Sequence, residues 1–530
     1  MRPNIIVINP DQMRADALHH LGNEASFTPN MDKLAEEGVS FSNCFCQSPV
    51  CVPSRCSFMT GYYPHVHGHR TQAHLLRLGE ENLFKELKDS GYFVWANPRG
   101  DLLAGDDREW QLQNFDVLFE EMNPSSADLS AYREKPSPDD YSFYRGIIES
   151  EDGKPIVDGD VFHTNAALEQ IRDRPKDKPF MVFLGYIAPH PPYLVEQCYL
   201  DKVDMSKLPP RIPTIKEGDG KPAMNVGLVK GLGVADWEEE RFNQLRAVYL
   251  GMCAKVDDLV GQIVQGLKNE GIYDDTAIFI LSDHGDFTGD FGIVEKSQNT
   301  FEDCLTNVPL IIKPPKGITV DTGVNDNLVE LIDFYATAVD FADVAPKRDH
   351  FGKSLRETIE DKSVEVRDAV FCEGGRLPHE HHCAEVFNQN SFAAMFSDDY
   401  KPRWNVEADS TAHTKATMIR TKDYKYVKRK EEKDEFYDLT EQSRERFNRI
   451  DEPEYRDIIL DLKDRMLGWY QETCDTVPHT LDARMQAGYM VNMMSRGGLP
   501  KEYLWSELVE KRRPIGEVLD EAGAFIKNIT

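Results

Sequence analysis

Short β-branched or apolar runs alternate with longer helical stretches along this chain, which predicts an α/β fold on a mostly parallel sheet. The strand-like runs are residues 5–8, 179–184 and 277–281, with 309–312 following. Helical periodicity marks residues 31–37, 83–89 and the long stretch 239–269. In addition, two of the strands end in an acid, in Ile8-Asn9-Pro10-Asp11 and in Leu281-Ser282-Asp283. Ligands of open α/β sheets collect at the carboxyl ends of the strands, so Asp11 and Asp283 are expected to share one site.

With 530 residues the chain can bury a large core and divide into more than one domain. The stretch 199–234 is rich in Pro, Gly and Lys and reads as an excursion over the surface. After about residue 360 the strands become shorter, at 369–372 and 424–427, and a helix is expected over 454–473. A boundary is placed between 363 and 364, with 364–530 forming a smaller α+β domain around a short antiparallel sheet.

Hydrophobic residues make up 40% of the chain and charged residues 29%, as in an ordinary globular protein. No run approaches the roughly 20 apolar residues of a membrane span, so no membrane is expected as partner. Met1-Arg2-Pro3-Asn4 leads straight into a strand with no charged leader, apolar stretch and cleavage site, which makes the cytoplasm the expected location. Ten cysteines without disulfide-framework spacing agree with a reducing compartment. A formal net charge of −30 argues against nucleic acid as partner and leaves room for a small anion in a locally positive pocket.

The segment Cys51-Val52-Pro53-Ser54-Arg55 reads as a helix start. Pro53 suits the first helical position, residues 54–60 can wind, and Gly61 stops them. Residue 51 is then held where unpaired backbone N–H groups and the helix dipole favour an anion. Arg55, one turn on, adds a fork-shaped donor. By default a free cysteine is a small buried hydrophobe, and these five residues alone leave that reading beside the anion site. Cys44 and Cys46 lie near in sequence, but no Cys/His set with zinc-finger spacing accompanies them.

The run continues as Thr60-Gly61-Tyr62-Tyr63-Pro64, and the whole resembles the signature of type I sulfatases of the alkaline phosphatase superfamily. The resemblance extends from residue 4 to about residue 450. It implies an alkaline phosphatase-like sandwich with a large, mostly parallel or mixed sheet flanked by helices. Residues 1–363 would be the catalytic domain, and 364–530 would complete the substrate pocket. It further implies that a formylglycine-generating enzyme oxidises Cys51 to formylglycine, whose hydrate is the nucleophile. Asp11-Gln12 and Asp283-His284 match the family's two metal pairs. With residue 51 they imply a mixed shell for one divalent cation, Ca²⁺ ahead of Mg²⁺ or Mn²⁺. Asp-Gln is the pair of the phosphonate monoester hydrolases, where sulfatases more often carry Asp-Asp.

Lys296, twelve residues past His284, resembles the family's catalytic lysine. His190, between Pro189 and Pro191, resembles the histidine that binds sulfate or protonates the departing alcohol. Outside the resemblance these would be a surface charge and a loop histidine. The chain departs from the family after Gly91-Tyr92, where relatives carry Gly-Lys-Trp-His and this sequence has Asn97-Pro98-Arg99-Gly100-Asp101. That places Arg99 and Asp101 as substrate contacts. His379 and His381, after Glu373-Gly374-Gly375, are candidates for the pocket wall, and His65, His67 and His69 for structural or rim roles. The expected activity is hydrolysis of a small anionic sulfate ester, carbohydrate-derived. A phosphonate monoester or phosphodiester hydrolase is the alternative, and a non-catalytic ligand-binding relative the third reading.

Overall fold

Ile5, Ile6, Val7 and Ile8 form a stretch with no polar side, so a strand made of them has to be buried on both faces. A computed structural model describes residues 2–97, 101–104, 108–119, 135–149, 153–216, 218–383, 397–409, 411–442, 444–477, 484, 487–496 and 498–527. In it β1 (Asn4–Asp11) carries this stretch. Ile5 and Val7 pack into one core, Ile6 and Ile8 into another, and all four are fully buried. Each such side chain contributes about 1.5–3 kcal/mol relative to exposure.

The strands that follow are β2 (Val39–Phe45), β3 (Phe93–Asn97), β4 (Val117–Leu118), β5 (Tyr144–Ile148), β6 (Phe180–Pro189), β7 (Tyr193–Glu196), β8 (Thr276–Leu281), β9 (Leu310–Lys313) and β10 (Gly323–Glu330). Among the described residues β5 and β7 pair only with each other. The others form one eight-stranded sheet in the order β10-β2-β9-β8-β1-β6-β3-β4. β9 runs antiparallel to both neighbours, and the remaining pairs are parallel. The sheet is therefore mixed, as expected. β1 lies between β8 and β6 with Ile5 opposite Ala277 and Met181, so Asp11 and the residues after Leu281 emerge side by side.

Helix Glu239–Asn269 covers one face through Leu245, Val248, Leu259 and Ile263. Helices Cys51–Thr60 and Asp333–Phe341 cover the other, with Val52, Phe58, Phe334 and Ala338 in its core. A second sheet, fully antiparallel, consists of β11 (Val370–Gly374), β12 (Ala416–Arg420), β13 (Tyr424–Arg429) and β14 (Glu435–Asp438). Helix Arg456–Thr473 closes it with Ile459, Leu462, Met466 and Trp469, whose ring stacks on Phe371 at 4.3 Å.

The chain forms two compact units. The eight-stranded sheet and the four-stranded antiparallel sheet both lie in the first, Met1–Ala345 with His350–Asp475. The second, Pro346–Asp349 with Thr476–Thr530, contains helices Ala487–Ser495, Lys501–Trp505 and Ile515–Lys527 around Val491, Leu504 and Val518. One expectation is corrected at 199–234. This stretch contains helix Ala223–Gly231, with Met224 and Leu228 in the core. Gly227 and Gly231 permit close approach: a Cβ on either would stand 2.6 or 2.9 Å from the Val406 side chain. Among the described residues no helix is long and apolar enough to cross a membrane.

Candidate active site

Helix Cys51–Thr60 starts two residues earlier than Pro53 suggests, with Cys51 itself in the first turn and Val50 as N-cap. Proline is tolerated there because the first four N–H groups of a helix have no intrahelical acceptor. Gly61 ends the helix in the left-handed conformation, φ 71°, and its N–H donates to Ser57 O. The amide next to Cys51 is already bound: Val52 N–H donates to Gln72 Oε1 at 2.9 Å. Gln72 carries no motif and escapes sequence reasoning.

The carboxyl ends of β1 and β8 bring Asp11, Asp283 and His284 onto Cys51. Oxygens of Asp11 and Asp283, a nitrogen of His284 and Cys51 Sγ all lie within 4.8 Å of one another, and all four residues are buried. His284 Nε2 is 3.1 Å from Sγ and 3.7 Å from Asp11 Oδ1. Its Nδ1 bonds to the Gly285 carbonyl at 2.9 Å and so carries the proton, which turns the bare Nε2 lone pair toward the cluster. Burial holds the His284 pKa below the ordinary value, against the pull of Asp283, and drives the Cys51 thiol up, with Asp11 adding to the effect.

Arg55 forks across the two acids. Its Nε donates to Asp283 Oδ2 at 2.8 Å and its Nη2 to Asp11 Oδ2 at 2.9 Å, and the side chain is only 1% exposed. Burial works against its charge, but Asp283 and Asp11 hold its pKa well above the usual value. Ser54 Oγ adds a bond to the Asp283 carbonyl at 2.6 Å, which ties the helix to the end of β8.

Gln12 joins this cluster to Lys296. Its N–H donates to Asp283 Oδ1, its Nε2 to Asp286 Oδ2 at 2.6 Å, and its Oε1 accepts from Lys296 Nζ at 2.6 Å. A donor on one side and an acceptor on the other fix which end of the amide is oxygen. Lys296 is buried; burial opposes its charge, but Cys51, Glu295 and Asp11 raise its pKa. Behind this pair lies a polar layer that sequence reasoning missed. Tyr193 Oη donates to Asp286, Glu295 N–H to Tyr193 Oη, and Arg403 Nη1 to Glu295 Oε1. Asp286 was within reach of inference, three residues after Asp283; Arg403, on helix Ser397–Glu407, was not. Tyr400 on that helix is close enough to influence the charge of Lys296.

The backbone here is held in costly conformations. Gln12, Thr288, Phe291, Glu295 and Asn299 all have positive φ, between 44° and 69°. Non-glycine residues of this kind cost on the order of 1–3 kcal/mol and gather at functional sites. Gly285 meets a different demand: a Cβ there would lie 2.0 Å from the Cys304 carbonyl oxygen. Its own N–H donates to Leu305 O at 2.7 Å. Gly285→Ala is therefore expected to destabilise the fold by about 1–3 kcal/mol through overpacking. A chemical melt that matches the parent would refute this.

The other expected residues contribute no ligand atom to the set formed by Asp11, Cys51, Asp283 and His284 among the described residues. His190 is half-buried at the end of β6, with Nδ1 donating to Pro191 O at 2.6 Å. Asp101 is half-buried, and its charge acts on both Cys51 and Arg55. Arg99 lies outside the described residues. His379 and His381 are exposed beyond β11. His65 bonds to Glu373 Oε2 at 2.8 Å, which joins the segment after helix Cys51–Thr60 to β11.

The architecture and this cluster define a hydrolase of the alkaline phosphatase-like class. The chain belongs to the sulfatase family, whose model, described as Sulfatase, matches residues 3–344. It is 26% identical over 526 residues to the multifunctional alkaline phosphatase superfamily protein PehA of Trinickia caryophylli, covering 90% of this chain and 97% of that one. It is 26% identical over 448 residues to the N-acetylglucosamine-6-O-sulfatase of Bacteroides thetaiotaomicron, covering 72% and 75%. The phosphonate monoester hydrolase SpPMH of Silicibacter pomeroyi has the same fold, with a TM-score of 0.69 at 23% identity over 91% of this chain and 97% of that one.

Proposed function

We propose that this enzyme hydrolyses a small anionic sulfate ester, carbohydrate-derived, at residue 51. The observation that carries the reading is the buried set of Asp11, Cys51, Asp283 and His284 with Arg55 forked across its acids. Two carboxylates and a ring nitrogen turned inward by its own hydrogen bond suit a divalent cation. Gln12 Oε1 gives one lone pair to Lys296 and has a second for the ion. With an oxygen rather than sulfur at residue 51 the shell is mostly hard, which favours Ca²⁺ over softer metals. The bound cation would acidify a hydroxyl at residue 51 and offset charge on the ester oxygens. Formylglycine hydrate at that residue, made by a formylglycine-generating enzyme, would supply the nucleophile and later release sulfate by re-forming its aldehyde.

The other roles belong to the chain's own side chains. Arg55 and Lys296 place positive charge where the equatorial oxygens gain negative charge. His190 or Lys296 protonates the departing alcohol, and Asp101 borders the substrate. The N-acetylglucosamine-6-O-sulfatase among the relatives supports a sugar sulfate. The ten unpaired cysteines suit a reducing compartment, and we keep the cytoplasm as the place of action.

A phosphonate monoester hydrolase is the second reading, favoured by Gln12 beside Asp11. Steady-state kinetics on matched aryl sulfate and aryl phosphonate esters separate the two. The sulfate is expected to lead in kcat/KM by at least about tenfold, or ~1.4 kcal/mol of transition-state stabilisation. A clear lead for the phosphonate would replace the first reading with the second.

A further inference from the structure

Beyond helix Cys51–Thr60 the chain makes a short helix, Pro64–His67, and turns at Gly68 with φ 79°. The turn sends His67 and His69 toward the same carboxylate. His69 Nε2 is 3.1 Å from Glu80 Oε2, and His67 Nδ1 is 3.7 Å from Glu80 Oε1. One ligand atom from each of the three residues lies within 4.8 Å of the others. His69 is 4% exposed, and its Nδ1 stands 2.8 Å from the His74 carbonyl. A carbonyl only accepts, so Nδ1 carries the proton and Nε2 is the bare nitrogen of the neutral ring. That Nε2 is buried and has no hydrogen-bond partner among the described residues, although the Glu80 oxygen is so near. An N–H on it would not point at the carboxylate.

An imidazole lone pair and a carboxylate oxygen held this close repel unless a proton or a metal cation lies between them, and the off-line geometry at Nε2 favours the metal. Two ligands bound at about 2.1 Å to one ion, at tetrahedral or octahedral angles, stand roughly 3.0–3.4 Å apart. The backbone carbonyl behind His69 is the support that a metal-binding histidine ordinarily has. We infer that His67, His69 and Glu80 form a second metal site, separate from the one at Cys51, that takes a borderline-soft divalent ion of the Zn²⁺ class. Two imidazoles and one carboxylate select such an ion over Ca²⁺. The exposed edge of His67 gives it an entry path. Arg77 Nη1 approaches Glu80 Oε1 at 3.5 Å and the His67 carbonyl at 3.2 Å, and this exposed side chain would have to swing away for the ion to bind. Residues 67, 69 and 80 bracket Gln72, whose Oε1 accepts the Val52 amide beside the catalytic position. The ion thus staples the loop that secures the start of the motif helix.

The test is a Zn²⁺ titration of the full-length protein in buffer saturated with Ca²⁺, read by calorimetry and by metal analysis after gel filtration. The unaltered protein is expected to retain one Zn²⁺ more per chain than His69→Ala or Glu80→Gln. His67 is partly exposed, so His67→Gln should fold normally and bind Zn²⁺ at least about tenfold more weakly. Hydrogen exchange over residues 64–80 should slow on Zn²⁺ addition in the parent and not in the variants. Equal Zn²⁺ stoichiometry in parent and His69→Ala, or parent-like affinity in a folded His67→Gln, would overturn the assignment.

Discussion

Cys51→Ala is expected to fold and to lose turnover by at least about 10⁴-fold, because removal of a covalent nucleophile leaves only what binding and electrostatics supply. The fold should tolerate the change at a cost of about 1 kcal/mol, since the cysteine contributes one small buried sulfur whose contacts to His284 Nε2 and Asp11 are those of a weak S–H donor. Cys51→Ser makes a sharper experiment. It restores an oxygen at the site but only one, so it can take up the transferred group without the geminal hydroxyl that would expel it. The expected result is a burst of alcohol release no larger than one equivalent per chain, followed by a stall. Mass spectrometry of the peptide containing residue 51 should show CH₂SH replaced by CHO in active preparations only. Substantial turnover by Cys51→Ala, measured on the same ester, would remove residue 51 from the chemistry and with it the proposed mechanism.

The part of this site that could be read from sequence is the part fixed by local rules. Ile5 to Ile8 declare a doubly buried strand, and the helix over Glu239–Asn269 appears with the predicted bounds. Asp11 and Asp283 meet because adjacent parallel strands end at the same edge. What stayed hidden depends on distant partners. Helix Ala223–Gly231 looks like loop because two of its residues are glycine, yet those glycines admit the Val406 side chain. Pro53 marks a helix start, but local rules do not reveal that Gln72 will take the Val52 amide and let the helix begin at Cys51. Gln12 was expected only as a metal ligand, whereas its amide also joins Lys296 to Asp286. Arg403 reaches Glu295 across 108 residues of sequence, a contact that no periodicity announces.

Arg55→Ala should affect stability and rate together, and the stability loss should depend on the cation. The guanidinium is buried and forms charge-assisted bonds to both acids, at 2.8 and 2.9 Å. Without it Asp11 and Asp283 would share a dry site with no neutralising fork, and breaking a buried pair in this way costs about 3–5 kcal/mol. A divalent ion on the same carboxylates would replace much of the lost charge. Urea melts of Arg55→Ala with a chelator present should therefore show the full deficit, and melts in excess Ca²⁺ a clearly smaller one. Turnover should still fall by about 10²–10³-fold in Ca²⁺, because in the proposed reaction the fork also faces the charge that develops on the ester. Arg55→Lys keeps one positive charge but cannot span two carboxylates, so it should fall between parent and alanine in both measurements. An equal stability deficit with and without Ca²⁺ would mean that the ion does not use these carboxylates. The cluster around Cys51 would then be an ion-pair core and not a metal centre.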